Sequence, residues 1–515
     1  MEGTFYTIIP PIAAILMVVL TRRVLLSLGV GILVGAWVLT QSIGGTFSTI
    51  FASFKAVFIS DGALNTWNVY ILLFLVLLGI MTAFITISGG SRAFGEWAMN
   101  RVKTRAGAQL VTAFLGIIIF IDDYFNSLAV GQVSRPLTDR HRISRAKLAY
   151  LIDSTSAPIC VISPVSSWGA YIIALIGSIL VAHEVTDVSA FTAFIQMIPM
   201  NLYVFVAILL VFATAIFNID LFSMKKHEKR AIDTGEVVDS SKGDIPGELK
   251  SELPMSKEGK VTDLVVPIIS LIIGTVTAMI YTGVKATEGP ATILSAFENT
   301  DVAASLVYGG TFGLVVTLLM YARHKMGSNV LRAGLVEGTK SMLPAIYILI
   351  FAWVIVDIIG QLGTGEYLAE IVKQSNMNIA YLPVVLFLLS GVMAFATGTS
   401  WGTFGIMLPI AGEIAAATDI TLLLPALSAV LAGSVFGDHC SPISDTTILS
   451  STGAGAHHID HVLTQLPYAI LSAIIASIGY IALGLTGSTL VGLGFSVALL
   501  VVVVFIFRST ASKPA

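Results

Sequence analysis

The sequence predicts an all-α, polytopic membrane protein of two inverted repeats, each of about five spans plus a re-entrant hairpin with broken helices, and one extra C-terminal span. Three observations carry this expectation. Apolar runs near the length of about 20 residues that crosses a bilayer recur along the whole chain. Hydrophobic residues make up 56% of the 515 and charged residues only 11%, far below the roughly 25% charged of an average soluble domain. The two halves also carry matching segments in the same order. The apolar runs are continuous rather than alternating, so helices and not a barrel must satisfy the backbone in lipid.

The opening stretch MEGTFYTIIPPIAAILMVVLTRR carries its arginines after the apolar run and lacks a basic start. It reads as a first span, near residues 5–21, and not as a cleaved signal. Further spans follow near 24–42 and 67–89. Residues 107–133 then have basic flanks on both sides, Arg92 with RVKTR before and Arg135 with RHRISRAKL after. A crossing there would strand one basic cluster outside, so this segment is expected to be a hairpin entering from the cytoplasm, with IDDYFN at 121–126 as its tip. Segments 146–183 and 190–217 complete an odd number of crossings, which inverts the second copy. Its hairpin, 381–417, should enter from outside, flanked by Glu366, Glu370, Glu413 and Asp419.

The repeat assignment rests on four matches. TIIPPI from Thr7 answers LVVPII from Leu264, and YILLF from Tyr70 answers YILIF from Tyr347. FLGIIIFIDDYFNSLAVGQVSRPL from Phe114 answers FLLSGVMAFATGTSWGTFGIMLPI from Phe387, with Pro136 facing Pro409. TSAPI from Thr155 answers HCSPI from His439. The units are therefore 1–224, a first transmembrane repeat; 225–260, a polar and solvated cytoplasmic linker; 261–488, the second, inverted repeat; and 489–515, the extra span and tail, with Arg508 inside.

Inverted repeats with interrupted helices place a site near the midplane. DSTSAPICVISPVSSWG from Asp153 and GDHCSPISDTTILSSTGAG from Gly437 break otherwise apolar spans with Pro, Gly and hydroxyl residues. An ionised carboxylate at bilayer depth costs about 2.5 to 3.5 kcal/mol on insertion scales, so carboxylates held there point to function. The candidates are Asp122, Asp123 and Asn126 at the first hairpin tip; Asp153, Ser154 and Thr155 in the first break; Thr399 and Ser400 in the second hairpin; and Asp438, Ser441, Ser444, Asp445, Thr446 and Thr447 in the second break. These are the oxygen ligands a hard cation such as Na+ wants. Na+ is assigned to Asp438 and Asp445, and proton coupling to Asp438, His439 and Asp153. One carboxylate that holds either a proton or an ion yields antiport.

Plainer readings stay open beside these. Asp122 and Asp123 could merely terminate the hairpin, Asp153 could be an N-cap, and His439 could bond backbone at a helix break. Asp357 stands alone in an apolar span, functional or paired with another helix. Trp168 and Trp401, each in a Ser-Trp-Gly triplet, read as helix packing. HHIDH at 457–461 reads as a solvated cluster, and Cys160 and Cys440 as small packing residues. No Arg or Lys stands mid-span to meet an anion.

IDDYFNSLAVG, RPLTD and SRAKLAYLIDSTSAPICVISPVSSWGA in the first half, with FGDHCSPISDTTILSSTGAG in the second, resemble the signatures of the NhaC family of Na+/H+ antiporters. That resemblance implies a secondary active transporter of a bacterial or archaeal plasma membrane, not an enzyme, with Na+ and H+ as coupling ions and no cofactor. A Na+- or H+-coupled carrier of an amino acid or small organic acid, of the malate/lactate type, is the alternative the family implies. The expected partners are a small ion or solute and membrane lipid, with no nucleic acid, and a homodimer is left open.

Overall fold

The computed structural model describes residues 5–510 apart from 22, 61, 121, 165, 244–253, 288, 365–366 and 368–377. Among these residues the chain is helical throughout except for a two-residue antiparallel pairing of Ile59–Ser60 with Ala63–Leu64. Among the described residues, nine helices are long and apolar enough to cross a membrane. They include Thr66–Ile87, Thr262–Ala286, Val302–Ala322, Ser328–Gln361 and His458–Thr486.

Several segments are shorter or more broken than the pattern of apolar runs suggests. Residues 146–183 fall into three pieces, Arg145–Asp153, Ala157–Ile162 and Ser167–Ala182. Pro158 enters the middle piece at its first turn, and Ser166 caps the third by accepting from the Gly169 amide. The polar residues thus do locally what a break needs: they satisfy amides that the interrupted helix leaves bare. A helix not expected from the spans, Ile43–Phe58, keeps Phe47 and Phe51 exposed.

The expected first hairpin takes the form of Arg105–Ile118 and Asp123–Arg140. Its two open ends meet, because the Arg105 guanidinium donates to the carbonyls of His141 and Arg142 at 3.3 and 2.7 Å. The two helices therefore run back along one another, with their open ends side by side. In the second half, Leu382–Thr397 and Ser400–Thr418 are joined through Gly398, whose φ of +71° suits a residue without a Cβ. Glu366 and Glu370, two of the expected flanking acids, lie outside the described residues, whereas Glu413 and Asp419 are exposed.

Close helix crossings set the middle of the molecule. A Cβ on Gly453 would fall on the Ser127 carbonyl and one on Gly131 on the Gly453 carbonyl, so Asp123–Arg140 and Asp445–Ala454 touch backbone to backbone. Arg135 and Arg145 bind the far end of that second helix, donating to the carbonyls of Thr452 and Ala454 at 2.7 and 3.2 Å. These are the last carbonyls of a helix, where positive charge is favoured. Two large apolar cores flank this crossing. Val435 packs in one and Ile443 and Ile448 in the other, so residues 438–447 pass from core to core.

The described part of the linker is largely exposed, as the sequence suggests, but it begins in an ordered helix. Phe222–Thr234 is a helix with Met224, Glu228 and Ala231 buried. Glu228 pairs with Arg105 and accepts from the Ser144 amide at 2.7 Å. Beyond it, Lys242 reaches Asp460 at 2.6 Å and Arg92 donates to the carbonyls of Ser256 and Lys257. The charged residues bind because the helix ends around them expose matching charges and bare carbonyls. A polar segment needs no apolar core to dock in this way.

Candidate ion and solute site

The predicted residues divide between a cavity and a polar column behind it. The cavity, of about 310 Å³, is walled by Asp122, Asp123 and Tyr124 from the first hairpin and by Asp445 and Ile443 from the second break. Gly398, Thr399 and Trp401 of the second hairpin join them, together with Trp67, Asn68 and the Trp353 region. Trp67 opens the helix Thr66–Ile87, whose other end leads to Arg92. The cavity therefore sits at the end of that helix remote from the basic clusters.

Each of the cavity's carboxylates is oriented by a neighbour. Asp122 is the N-cap of Asp123–Arg140, accepting from the Phe125 amide at 3.0 Å. The hairpin-terminating reading of Asp122 is thus correct for its local role, yet the residue also faces the cavity. Trp168 donates its indole N–H to Asp123 Oδ1 at 2.7 Å. The other oxygen, Asp123 Oδ2, is buried with no hydrogen-bond partner. Tyr124 donates its hydroxyl to Asp445 Oδ2, and the Thr446 amide donates to Asp445 Oδ1 at 2.9 Å. Asn126 does not face the cavity. Its amide nitrogen binds the Gly116 and Ile119 carbonyls, both at 2.6 Å, and so closes the hairpin tip.

Asp438 stands directly behind the wall. Its Oδ2 accepts from Ser400 at 2.9 Å and from Thr446 at 3.3 Å, the chain neighbours of the wall residues Thr399 and Asp445. Its Oδ1 is buried and has no hydrogen-bond partner. An unsatisfied buried polar group costs about 1 to 3 kcal/mol, more if charged, so a carboxylate held this way is poised for a proton or an ion. Ser441 is turned away, donating to the Phe395 carbonyl at 2.8 Å, while Ser444 caps the next helix and touches Thr446 at 2.9 Å.

Thr447 carries the column onward, 3.3 Å from the Asp438 carbonyl and 3.5 Å from Asp153 Oδ2. Asp153 closes the helix Arg145–Asp153 and so is not an N-cap. It is fully enclosed: Ser450 donates to Oδ1 at 3.0 Å, and Gln465 to Oδ2 at 2.5 Å. His461 Nε2 also lies 3.2 Å from Oδ2. His439 lies between the Asp153 carbonyl, 2.9 Å from Nε2, and the Tyr203 hydroxyl, 3.1 Å from Nδ1. Thr155 is turned back to Leu151 and Ser154 lines a small void beside His439, so neither reaches the cavity.

Three expectations need correction. HHIDH is not a solvated cluster: His458 and His461 are buried, and His461 completes the shell of Asp153, because the helix that begins there turns that face inward. Trp168 and Trp401 are not mere packing. Their rings meet edge to face at 6.1 Å, one holding Asp123 and the other walling the cavity. Buried cations do exist, Arg135 and Lys147, but both are engaged by protein groups. Lys147 binds Asp220 at 3.0 Å and lies over the rings of Tyr150 and Tyr468. Asp357 is paired with Gln361 of its own helix at 2.8 Å, and the two cysteines are buried and unbridged.

His461, Gln465, Tyr124, Trp168 and Tyr203 were not among the sequence candidates. The signal for two of them was present. His457, His461 and Gln465 recur at four-residue spacing along one helix face, which an apolar helix seldom tolerates on its lipid side.

Among the described residues, nine helices of membrane-crossing length and broken helices that meet at buried carboxylates define a multi-pass membrane protein with a polar site inside it. The chain belongs to the Na+/H+ antiporter family, whose profile matches residues 159–485, and within it is NhaC-like. It is therefore a secondary transporter and not an enzyme. It is 48% identical over 510 residues to an uncharacterized protein of Haemophilus influenzae, covering 98% of this chain and 95% of that one. Over 193 residues it is 29% identical to the malate-2H+/Na+-lactate antiporter of Bacillus subtilis, covering 36% of this chain and 39% of the relative. Over 180 residues it is 28% identical to the Na+/H+ antiporter NhaC of Alkalihalophilus pseudofirmus, covering 34% and 38%.

Proposed function

We propose that the protein exchanges Na+ for H+ across the plasma membrane by alternating access, with Asp438 as the carboxylate at which the two compete. The observation that carries this is Asp438 itself: enclosed, one oxygen held by Ser400 and Thr446, the other with no hydrogen-bond partner. A Na+ ion there would find Asp438, the hydroxyls of Ser400, Ser444 and Thr446, and Asp445, the chain neighbour of Ser444 and Thr446, the oxygen donors that suit a hard cation. Protonation removes the charge that holds the ion, so each species expels the other.

Two inverted repeats, 1–224 and 261–488, would supply the motion, joined by the linker 225–260 and followed by the span 489–515. The order of elements supports this reading: each half has a hairpin followed by a broken helix, 105–140 then 145–162, and 382–418 then 423–454. The basic clusters orient the hairpin ends, linker and C-terminus to the cytoplasm. The cavity then opens outward, and the column Asp438, Thr447, Asp153, His461 leads inward. Carriage of an anionic organic acid is less well supported, since no Lys, Arg or His is among the described residues lining the cavity.

The test is proton flux in proteoliposomes driven by a Na+ gradient. Asp438→Asn keeps the shape but removes charge and titration, and should abolish exchange in protein that inserts and elutes as wild type. Unchanged exchange with an unchanged pH profile would falsify the assignment.

A further inference from the structure

We propose that the tryptophan-walled cavity binds an organic monocation, an amine, quaternary ammonium or guanidinium compound with an apolar part, in competition with Na+. The inference rests on the cation-exchange reading above and adds to it the class of solute.

Size is the first argument. A cavity of about 310 Å³ is some ten times the roughly 30 Å³ that a water molecule occupies in the liquid, and falls at the lower end of the range for small-molecule sites. A lone Na+ would leave most of it to water. Wall chemistry is the second. Trp67, Trp353 and Trp401 come from three separate helices, Thr66–Ile87, Ser328–Gln361 and Ser400–Thr418, and turn one cavity aromatic. Bare Na+ prefers oxygen, whereas an organic cation gains from ring faces and from apolar contact together. Trp401 is also fixed in orientation, stacked on Tyr171 at 4.6 Å, so its ring is a preset surface.

Charge is the third argument, and it selects the sign. Asp122, Asp123 and Asp445 line the cavity, and no Lys, Arg or His is among the described residues that line it. Asp123 is the sharpest indicator. It is 3% exposed and its Oδ1 is pinned by Trp168, while Oδ2 has no hydrogen-bond partner. A carboxyl group in the cavity wall, held by one oxygen and buried without a partner at the other, has acceptor capacity left for an N–H donor or a cationic methyl group. The arrangement puts carboxyl groups and aromatic rings in the wall of one cavity, a combination that distinguishes an organic cation from both a metal ion and a neutral solute.

The full-length protein in detergent tests this through its tryptophan fluorescence, titrated with choline or agmatine at constant ionic strength. The uncharged choline isostere 3,3-dimethylbutanol serves as the neutral control. Saturable change with at least one of the two cations is expected, at least tenfold weaker with the isostere. Asp123→Asn and Trp353→Leu should each weaken it at least tenfold, and Trp353→Phe should keep most of it. Asp123→Asn is close to isosteric, so the comparison survives if Trp353→Leu fails to fold. Absence of a saturable change with both cations, equal binding of the isostere, or an unaltered Asp123→Asn titration overturns the proposal. Na+-driven proton flux is measured separately in liposomes. Loss of that exchange with organic-cation binding intact would sink the antiport reading alone. Intact exchange that neither cation binds to nor inhibits would sink this one alone.

Discussion

His461 Nε2 lies 3.2 Å from the carboxylate of Asp153, across 308 residues of chain. One residue ends a short helix of the first half and the other opens a long helix of the second, so the pair forms only when the halves pack. With Gln465 and Ser450 completing the shell, Asp153 is held more tightly than Asp438, whose second oxygen is left without a partner. Two carboxylates linked through Thr447 thus have different environments, the condition under which one can hold a proton while the other exchanges it.

The His461 contact makes a first prediction. If the imidazole takes part in proton transfer at Asp153, His461→Ala and His461→Gln should both slow Na+/H+ exchange at least tenfold. Apparent Na+ affinity should change little, because the ion site at Asp438 is elsewhere. Proteoliposome flux at saturating Na+ reads this, and wild-type rates in His461→Gln would reduce the residue to a hydrogen-bond donor.

The backbone crossing at Gly453 makes a second. Gly453→Val would drive a side chain into the Ser127 carbonyl, and overpacking of this kind costs about 1 to 3 kcal/mol. The unfolding temperature of the detergent-solubilised protein should drop by several degrees. Gly44, with nothing near its missing Cβ, is the control. Gly44→Ala should leave the temperature unchanged or raise it slightly.

A third concerns the docked linker. Glu228→Ala would leave the buried Ser144 amide without its acceptor and Arg105 with only the His141 and Arg142 carbonyls, so a loss of about 1 to 3 kcal/mol is expected. Lys242→Ala removes a solvent-facing pair with Asp460, for which less than about 1 kcal/mol is expected. The Asp239 carboxyl is held below its ordinary value by the Ser241 hydroxyl and amide, aided by Lys242 and Arg230. Its folded-state pKa is depressed, so its contribution is complete above about pH 4, the unfolded value, and is lost as pH falls through the lowered one. In limited proteolysis of the linker, the difference between wild type and Asp239→Asn should therefore be unchanged from pH 8 to 5 and shrink only in stronger acid.

The fourth tests the hairpin. Single cysteines at Lys103 and Arg140, both exposed beside the joined ends of Arg105–Ile118 and Asp123–Arg140, should react with a membrane-impermeant maleimide from the same side. Cys160 and Cys440, which are buried, would be replaced by serine beforehand. Labelling from opposite sides would turn the hairpin into a crossing and remove the ground for inverting the second half.

The sequence by itself determined the class of the protein. Long apolar runs can satisfy their backbones in lipid only as helices, and Pro, Gly and hydroxyl residues at 153–169 and 437–455 announce breaks because they cannot continue a helix cheaply. Carboxylates in such breaks are legible for the same reason: charge in an apolar setting is costly wherever the chain folds. The partners of those carboxylates were not legible. Trp168 for Asp123, Tyr124 for Asp445 and His461 for Asp153 are contacts whose meaning depends on which helix faces which. A tryptophan, a tyrosine or a histidine reads equally well as core, cavity wall or solvated end until packing assigns it a side. The docked linker was hidden likewise, because its stability comes from charges and carbonyls on other helices and not from a periodicity of its own. Local chemistry follows from residue type, while the pairing of distant groups is decided by close packing, and only the tertiary structure contains that.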